Sequence, residues 1–190
     1  MNTRPKRTFG IVALMILSPI ALFLTGCKTP SDAEVKSVIE VNVLETKWVM
    51  KEYRQWPNPK LVLVPAVTYQ IKNNSQEPLR FININAIFKE RDAVENLGDS
   101  FYAAIRKDPV PPGGLSPALS QKSNFGVEGK NLESFKLTIG WKTYYVKLFA
   151  QWKGSRPVLL GEWPVSRTID FKEPEPVHMG KEKKEPEPKK

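Results

Sequence analysis

Alternating apolar and polar residues predict two half-buried β-strands in this chain. Residues 79–89 carry apolar side chains at every second position with asparagines between them, and residues 143–153 repeat the alternation. A period of two is typical of a strand with one buried face. The residues predicted to face the core are Ile82, Ile84, Ala86 and Phe88 in the first segment and Tyr144, Val146, Leu148, Ala150 and Trp152 in the second.

Shorter or less regular extended segments surround these two strands, and Gly, Pro and Asn turns separate them. They cover residues 38–50, 61–72, 101–105, 118–127, 135–139 and 158–171. Pro65 predicts an edge position or a bulge, since proline lacks the N–H of a sheet ladder. The best helical candidate, residues 90–97, is about two turns long.

Seven or eight strands at this spacing predict an all-β fold, an immunoglobulin-like antiparallel β-sandwich over residues 38–171. A buried tryptophan is expected in such a core, and either Trp48 or Trp152 can occupy that place. Residues 69–75 (Tyr-Gln-Ile-Lys-Asn-Asn-Ser), the strand after Pro78 and the turn at residues 112–114 resemble small immunoglobulin-like domains of bacterial envelope proteins. This resemblance implies a fold rather than a function.

The first 27 residues form a separate unit with a basic start, an apolar middle and a small-residue end, which are the parts of a secretory signal. The apolar run, residues 9–24, is short for a membrane span of roughly 20 residues. It closes with Leu24-Thr25-Gly26-Cys27, which resembles the lipobox of bacterial lipoprotein precursors. The resemblance implies that a signal peptide of residues 1–26 is removed. It also implies that Cys27, the only cysteine, carries a diacylglyceryl group and a further acyl chain such as palmitate.

Two other interpretations of this unit stay open: a transmembrane anchor with an incidental cysteine, and a signal peptide that is cut elsewhere. Two or three acyl chains anchor a protein stably, whereas one chain binds a bilayer only marginally. In the lipoprotein family, aspartate after the cysteine favours retention at the inner membrane. Lys28 at that position implies the outer membrane, facing the periplasm, in a host with two membranes and the cell-surface membrane otherwise. Residues 27–37 are then the lipidated cysteine and a linker.

A moderate excess of positive charge, 29 Lys and Arg against 20 Asp and Glu, is scattered along the chain. Such a surface is attracted to phospholipid headgroups, acidic cell-wall polymers or an acidic protein. The scatter and the envelope compartment argue against nucleic acid as a partner. The expected partners are the membrane, through the N-terminal lipid, and an envelope protein or cell-wall component.

The last 19 residues, 172–190, contain Glu-Pro-Glu-Pro twice, with lysine-rich flanks. Few side chains in this segment can be buried, so its composition predicts a disordered tail. Fully extended, the tail would reach roughly 60 Å beyond the body.

Residues that usually carry catalysis are sparse. The only histidine, His178, lies in the tail, so the body offers no Ser-His-Asp or Cys-His arrangement and no His and Cys cluster for zinc. The sequence also lacks a glycine-rich phosphate loop. We therefore expect no enzyme activity, no cofactor and no metal. A calcium site formed by Glu90, Asp92, Glu95 and Asp99 is a minor alternative.

Aromatic residues away from the predicted core face are the best candidates for a binding surface, and they are Trp56, Trp141, Tyr145 and Phe149. Exposed aromatic side chains stack on sugars or receive a partner protein, although they can also cover a second sheet. We predict a lipid-anchored, non-catalytic binding or scaffold module of the cell envelope. Two other functions stay open: an accessory subunit of a transport or secretion assembly, and a cell-wall or glycan enzyme that uses carboxylates.

Overall fold

Two β-sheets pack face to face in the computed structural model, which describes residues 29–136 and 142–175. The elements follow one another as α1 (Asp32–Val38), β1 (Ile39–Arg54), β2 (Lys60–Asn73), β3 (Ile82–Glu90), β4 (Gly98–Ile105), β5 (Leu119–Lys122), β6 (Val127–Gly129), α2 (Leu132–Lys136), β7 (Tyr144–Trp152), β8 (Val158–Pro164) and β9 (Ile169–Asp170). Within the described ranges, no helix is long and apolar enough to cross a membrane.

The strand order is that of an immunoglobulin-like sandwich. One sheet has the order β5-β2-β1-β9, with β6 also paired to β2, and the other, which we call the four-stranded sheet, has the order β4-β3-β7-β8. The paired strands are antiparallel except β1 and β9, which run parallel. The chain crosses from one sheet to the other after β2, β4, β6 and β8, and such crossings between sheets are typical of immunoglobulin-like sandwiches. The predicted fold class is therefore confirmed.

The alternation predicted for β3 and β7 is also confirmed. The inward residues of β3 are fully buried, and those of β7 are buried except for the partly exposed Tyr144. Both candidate tryptophans lie in the core, Trp48 at 1% and Trp152 at 8% exposure. The Trp48 ring meets the Tyr144 ring edge to face, with 5.3 Å between centroids. One face of the four-stranded sheet is thus buried against the other sheet, and its second face lies outside.

Pro65 lies in an inner strand, so the predicted edge position is wrong, whereas the alternative, a bulge, corresponds to a break in the pairing of β2 with β5 and β6. β2 has β1 on one side and β5 and β6 on the other, and its register with β1 is unbroken at Pro65. The Pro65 carbonyl accepts a hydrogen bond of 2.9 Å from the Ser123 N–H, where β5 has ended and β6 has not begun. The N–H and C=O of one residue point to the same side of an antiparallel strand. The N–H that proline lacks would therefore face this break in the ladder.

The helix predicted at residues 90–97 is wrong. The segment forms a turn and bends between β3 and β4, and Val94 within it is 94% exposed. A helix of two turns without a buried face is unstable, because nucleation costs more free energy than its few hydrogen bonds return. The Leu97 N–H instead donates to the Phe88 carbonyl, 2.9 Å away, which leads the chain into β4.

The strand predicted at residues 135–139 is wrong in its described part, because Phe135 and Lys136 end helix α2. Residues 137–139 lie outside the described ranges. Asn131 precedes the helix, and its Oδ1 accepts hydrogen bonds from the N–H and the hydroxyl of Ser134 at 2.9 and 2.7 Å. This contact is typical of a helix N-cap, which overrides the strand preference of the apolar residues that follow.

A short helix, α1, occupies most of the segment that composition assigns to a linker. Its N-cap is Ser31, whose hydroxyl accepts a 3.3 Å hydrogen bond from the Glu34 N–H. Val35 is fully buried and belongs to the core cluster. Asp32 forms a bidentate pair with Arg156, at 2.9 and 2.7 Å, which lowers the pKa of the Asp32 carboxyl. The described N-terminal segment is therefore packed on the sandwich.

Two of the long strands predicted from the sequence are each divided into two shorter strands. Residues 118–127 contain β5 and the start of β6, which are separated by a loop. Residues 158–171 contain β8 and β9, which belong to different sheets. After β8 ends at Pro164 the chain crosses to β1, where the Thr168 carbonyl accepts a 2.8 Å hydrogen bond from the Trp48 N–H.

A buried polar cluster links the two sheets. The Tyr69 hydroxyl of β2 donates to the Gln121 Oε1 of β5 at 2.5 Å, and the Gln121 Nε2 donates to the Ser100 carbonyl of β4 at 2.7 Å. Tyr69 is 0% and Gln121 4% exposed. Burial raises the pKa of the Tyr69 hydroxyl above its ordinary value of 10.0. The neutral Tyr69 hydroxyl therefore contributes fully to the stability of the fold below about pH 10, and this contribution is lost as the pH rises further.

Tyr69→Phe should reduce the free energy of unfolding by about 1–3 kcal/mol, because it leaves the buried Gln121 Oε1 without its donor. Urea unfolding monitored by tryptophan fluorescence measures the change. Tyr145→Phe is the matched control, since Tyr145 lies on the outer face, and it should have little effect. Equal losses in the two variants would contradict the structural role of the Tyr69–Gln121 bond.

The described chain enters and leaves the sandwich at opposite ends of β1. α1 lies beside the start of β1, which continues for 16 residues, about 50 Å at roughly 3.3 Å per residue. β9 runs parallel to β1, and Glu173 then accepts hydrogen bonds from the Tyr53 hydroxyl at 3.1 Å and the Leu132 N–H at 3.1 Å. The Gln55 side chain donates to the carbonyls of residues 174 and 175. The start of the predicted tail therefore contacts the body.

Truncation after Glu175 should leave the melting temperature unchanged, whereas truncation after Phe171 should lower it. The shorter chain loses the two hydrogen bonds to Glu173 and the two exposed ones from Gln55 to the carbonyls of residues 174 and 175, which contribute about 1 kcal/mol together. For a protein of this size that corresponds to roughly 2–4 °C. Differential scanning calorimetry of the two truncated chains measures the difference. Identical melting temperatures would show that Glu173 contributes nothing to stability.

Candidate binding face

The outer face of the four-stranded sheet carries a row of large side chains that crosses all four strands. The register pairs Phe101 of β4 with Asn85 of β3, Asn85 with Phe149 of β7, and Phe149 with Leu159 of β8. Directly paired residues of antiparallel strands point to the same face. Phe101, Asn85, Phe149 and Leu159 are therefore neighbours, and we call them the aromatic row.

The aromatic row is open to solvent at both ends and polar at one point inside. Phe101 is 63% and Leu159 37% exposed, and Phe149 is half-buried between them. The Asn85 Oδ1 is shielded from solvent and has no hydrogen-bond partner among the described residues. An unpaired buried acceptor costs about 1–3 kcal/mol, and such groups occur where a ligand or water completes the bonding. The row thus combines exposed apolar area with one unsatisfied polar group.

Charged side chains of both signs surround the aromatic row. Lys147 pairs with Glu162 at 3.3 Å across β7 and β8. Arg91 lies over the Tyr145 ring, 4.9 Å from its centroid, and also donates to its hydroxyl. Arg106 donates to the Asn83 Oδ1 at 2.9 Å. Lys89 points to the same face by alternation along β3.

Two carboxylates lie on this face. Besides Glu162, the row's surroundings contain Asp99, whose side chain meets the Asn124 amide at 3.3 Å. Within the described ranges, no carboxylate is paired with Lys89, Arg91 or Arg106. The face therefore presents apolar area among charged side chains of both signs.

Of the four aromatic residues singled out in the sequence, the structure brings two together. Tyr145 and Phe149 lie on the same outer face of β7, as the alternation predicts. Trp56 is 70% exposed in the loop after β1. It lies about 20 Å further along β1 than Trp48, whose ring contacts Tyr144 at the start of β7. Trp141 and Cys27 lie outside the described residues. Trp56 is thus not part of this face.

Sequence reasoning missed Phe101, Leu159 and Asn85 as members of the row. Phe-Tyr-Ala-Ala-Ile in β4 does not alternate, and a register shift interrupts its pairing between Ile82 and Ile84. The face to which Phe101 belongs is therefore not readable from periodicity. Asn85 was assigned to the outer side of β3, but its neighbours depend on the pairing of β3 with β4 and β7, for which the sequence contains no signal.

The acidic residues near residues 90–99 do not assemble. Glu90 pairs with Lys142 at 2.9 Å, and Asp99 contacts Asn124. In the described parts of the chain, no group of three or more His, Cys, Asp and Glu side chains is placed to hold a metal ion. The loop therefore gives no structural support to a calcium site.

Comparisons with known proteins show distant likeness of fold. No protein-family model matches the chain, and no curated protein matches its sequence. An Arabidopsis thaliana protein solved in solution matches with TM-score 0.41 and 11% identity over 70% of this chain and 83% of that one. An Archaeoglobus fulgidus protein matches with TM-score 0.33 and 9% identity over 65% and 92%.

A β-glucuronidase of glycoside hydrolase family 2 is also similar in part. It matches with TM-score 0.37 and 11% identity over 66% of this chain, which spans only 10% of that enzyme. Similarity at this level carries no functional argument.

Proposed function

We propose that this protein is a lipid-anchored binding module of the cell envelope and that the aromatic row is its contact surface. The observation that carries the proposal is the row of apolar side chains, Phe101, Phe149 and Leu159, that is partly exposed on the outer face of the four-stranded sheet. Solvated sheet faces are usually polar, and contiguous apolar area on them marks interaction sites. The anchor is Cys27, on the strength of the lipobox resemblance.

The shape of the surface favours a macromolecular partner over a small molecule. Small ligands are held in concave pockets that bury most of their surface. The aromatic row instead crosses the four strands of one sheet on its outer face. Aromatic side chains at such a position act as anchors for a protein or stack on sugar rings.

The arrangement of the chain ends suits a tethered module. α1 follows the proposed anchor, and β1 then extends about 50 Å away from it. Residues 173 and 174 contact the far end of β1, opposite to α1.

A photoreactive amino acid at position 149 in the full-length, membrane-bound protein tests the contact surface in cells. We expect one discrete adduct, whose partner is identified by mass spectrometry, and its loss when Phe101→Glu is added. Leu44 is the matched control position, since it is also apolar, lies on the other sheet and is 51% exposed. An adduct of equal yield at position 44, or none at position 149, would contradict the assignment of the face.

A further inference from the structure

One end of the sandwich, where α1 lies, also contains the loops that follow β2, β4 and β7. Asn73 ends β2 beside the start of β1. Ile82 begins β3 beside the ends of β4 and β7, since it pairs with both Ile105 and Trp152. The Asn73 amide joins the two sheets here through a 2.9 Å hydrogen bond to the Val110 carbonyl. We call this region the α1 end, and it consists of residues 29–38, 74–81, 106–118 and 153–157.

The chain between the proposed anchor and the packed body is short. Pro30 is buried, and Asp32 of α1 is bonded to Arg156 in the loop after β7. Cys27 precedes Thr29 by two positions, and two residues of chain span at most about 7 Å. This distance is less than the roughly 10 Å diameter of one helix. Acyl chains on Cys27 would therefore hold the α1 end at the level of the phospholipid headgroups, with no space for a folded partner at the tether.

Two large apolar side chains are exposed at the α1 end, Phe81 at 60% and Leu115 at 50%. Phe81 has a φ of 55°. This backbone conformation is rare for a bulky residue and costs about 1–3 kcal/mol, and such strain clusters at functional sites. Only β7 lies between β3, which Phe81 precedes, and β8, which contacts α1, so the axes of β3 and β8 are roughly 10 Å apart. The structure thus keeps an exposed aromatic ring close to the tethered helix.

Charged side chains of both signs accompany this ring. The three loops of the α1 end contain five cations and two carboxylates, which are Arg80, Arg106, Lys107, Lys153 and Arg156, and Glu77 and Asp108. Residues 29–38 add one lysine and two carboxylates, so six cations stand against four carboxylates. So small an excess attracts an anionic partner only weakly. The short tether, rather than the charge, therefore selects what lies against the α1 end.

We propose that the α1 end rests on the phospholipid surface, with the Phe81 ring among the headgroups. This inference rests on the lipid anchor of the proposed function, and it adds a direct contact between the folded body and the membrane. Phe and Leu side chains of interfacial segments lie at the boundary between headgroups and acyl chains. Long Lys and Arg side chains keep their charged ends at the headgroups while their stems lie along apolar surface. Phe81 and Leu115 would lie at this boundary, with Arg80 and Lys153 beside Phe81.

The test uses the full-length protein, purified with its acyl chains and reconstituted into phosphatidylcholine vesicles. The lipid is either unmodified or brominated in the acyl chains near the headgroups, where bromine quenches nearby tryptophan. Phe81→Trp places a fluorescent ring at the proposed contact. Phe125→Trp is the matched control, since Phe125 is 64% exposed and lies just before β6. Val127 of β6 pairs with Leu63, which lies about 30 Å along β2 from Asn73 at the α1 end.

The emission of the Phe81→Trp protein, after subtraction of the wild-type signal, should fall at least about twofold on brominated vesicles, as for a ring at the headgroup boundary. The corresponding Phe125→Trp signal should not change. An insertion of about ten Gly and Ser residues before Thr29 should reduce the quenching, because a chain of that length lets the body move about 17 Å from the anchor. Unchanged quenching after the insertion would overturn the short tether as the cause of the contact.

The failures of this inference and of the anchor are distinguishable. Equal quenching at positions 81 and 125, or none, in a protein whose mass shows the acyl chains would overturn the membrane contact and leave the anchor intact. Blue-shifted emission at position 81 on unmodified vesicles, without quenching by bromine, would mean that a second copy of the protein covers the ring. A mass without acyl chains would refute the anchor and, with it, this inference.

Discussion

Replacing Trp48 by alanine should reduce the free energy of unfolding by about 3–5 kcal/mol, which is the usual cost of truncating a large buried aromatic residue. The Trp48 side chain is 1% exposed, lies on β1 and packs edge to face on Tyr144 of the opposite sheet. The substitution therefore opens a cavity at the contact between the two sheets. Chemical denaturation of the full chain measures the loss.

Trp56→Ala is the matched control for this prediction, since it removes the same side chain from an exposed position. Trp56 is 70% exposed in the loop between β1 and β2, and its removal should change stability by no more than about 0.5 kcal/mol. Similar losses in the two variants would mean that the core is not centred on the contact between Trp48 and Tyr144.

Cys27→Ser should move the protein from the membrane fraction to the soluble fraction or leave it as an uncut precursor. The expectation follows from the lipobox resemblance, in which the thiol of the only cysteine is the acyl acceptor. Without acyl chains, the mature body loses the free energy of membrane binding that these chains supply, which is about 0.8 kcal/mol for each CH₂ buried in the bilayer. Fractionation at high salt, followed by mass spectrometry of the intact protein, distinguishes the two products.

Thr25→Ser keeps a small residue inside the lipobox and should be processed and anchored like the wild type. If the Cys27→Ser protein stayed in the membrane fraction at high salt and had the mass of the normally cleaved protein, lipidation at Cys27 would be refuted. The binding face and the fold do not depend on this outcome.

The period-two pattern predicted the central part of the fold because burial of one sheet face leaves a direct trace in the sequence. Ile84 and Leu148 are inward, and Tyr145 and Phe149 outward, as their positions predict. Short elements left weaker traces. α2 depends on the N-cap at Asn131. The place of Pro65 in β2 depends on the break between β5 and β6, which are both distant from β2 in sequence.

The candidate site was predicted only in part, because it is built from cross-strand neighbours. Phe149 was found from its place opposite the core residues of β7. Phe101 joins it only through the register of β3 with both β4 and β7, and the irregular pairing near Ile82 hides that register in the sequence. The position of β4 at the edge is a property of the sheet order, which local patterns do not contain.

The central claim is that the aromatic row is covered by a partner in the envelope, and radical footprinting of the full chain tests it most directly. Labelling of Phe101 and Phe149 is compared between native membranes and the purified protein, with Trp56 as the exposed reference. The account predicts a severalfold decrease at Phe101 and Phe149 in membranes and no change at Trp56. Unchanged labelling of both phenylalanines, with or without protection of Trp56, would contradict it.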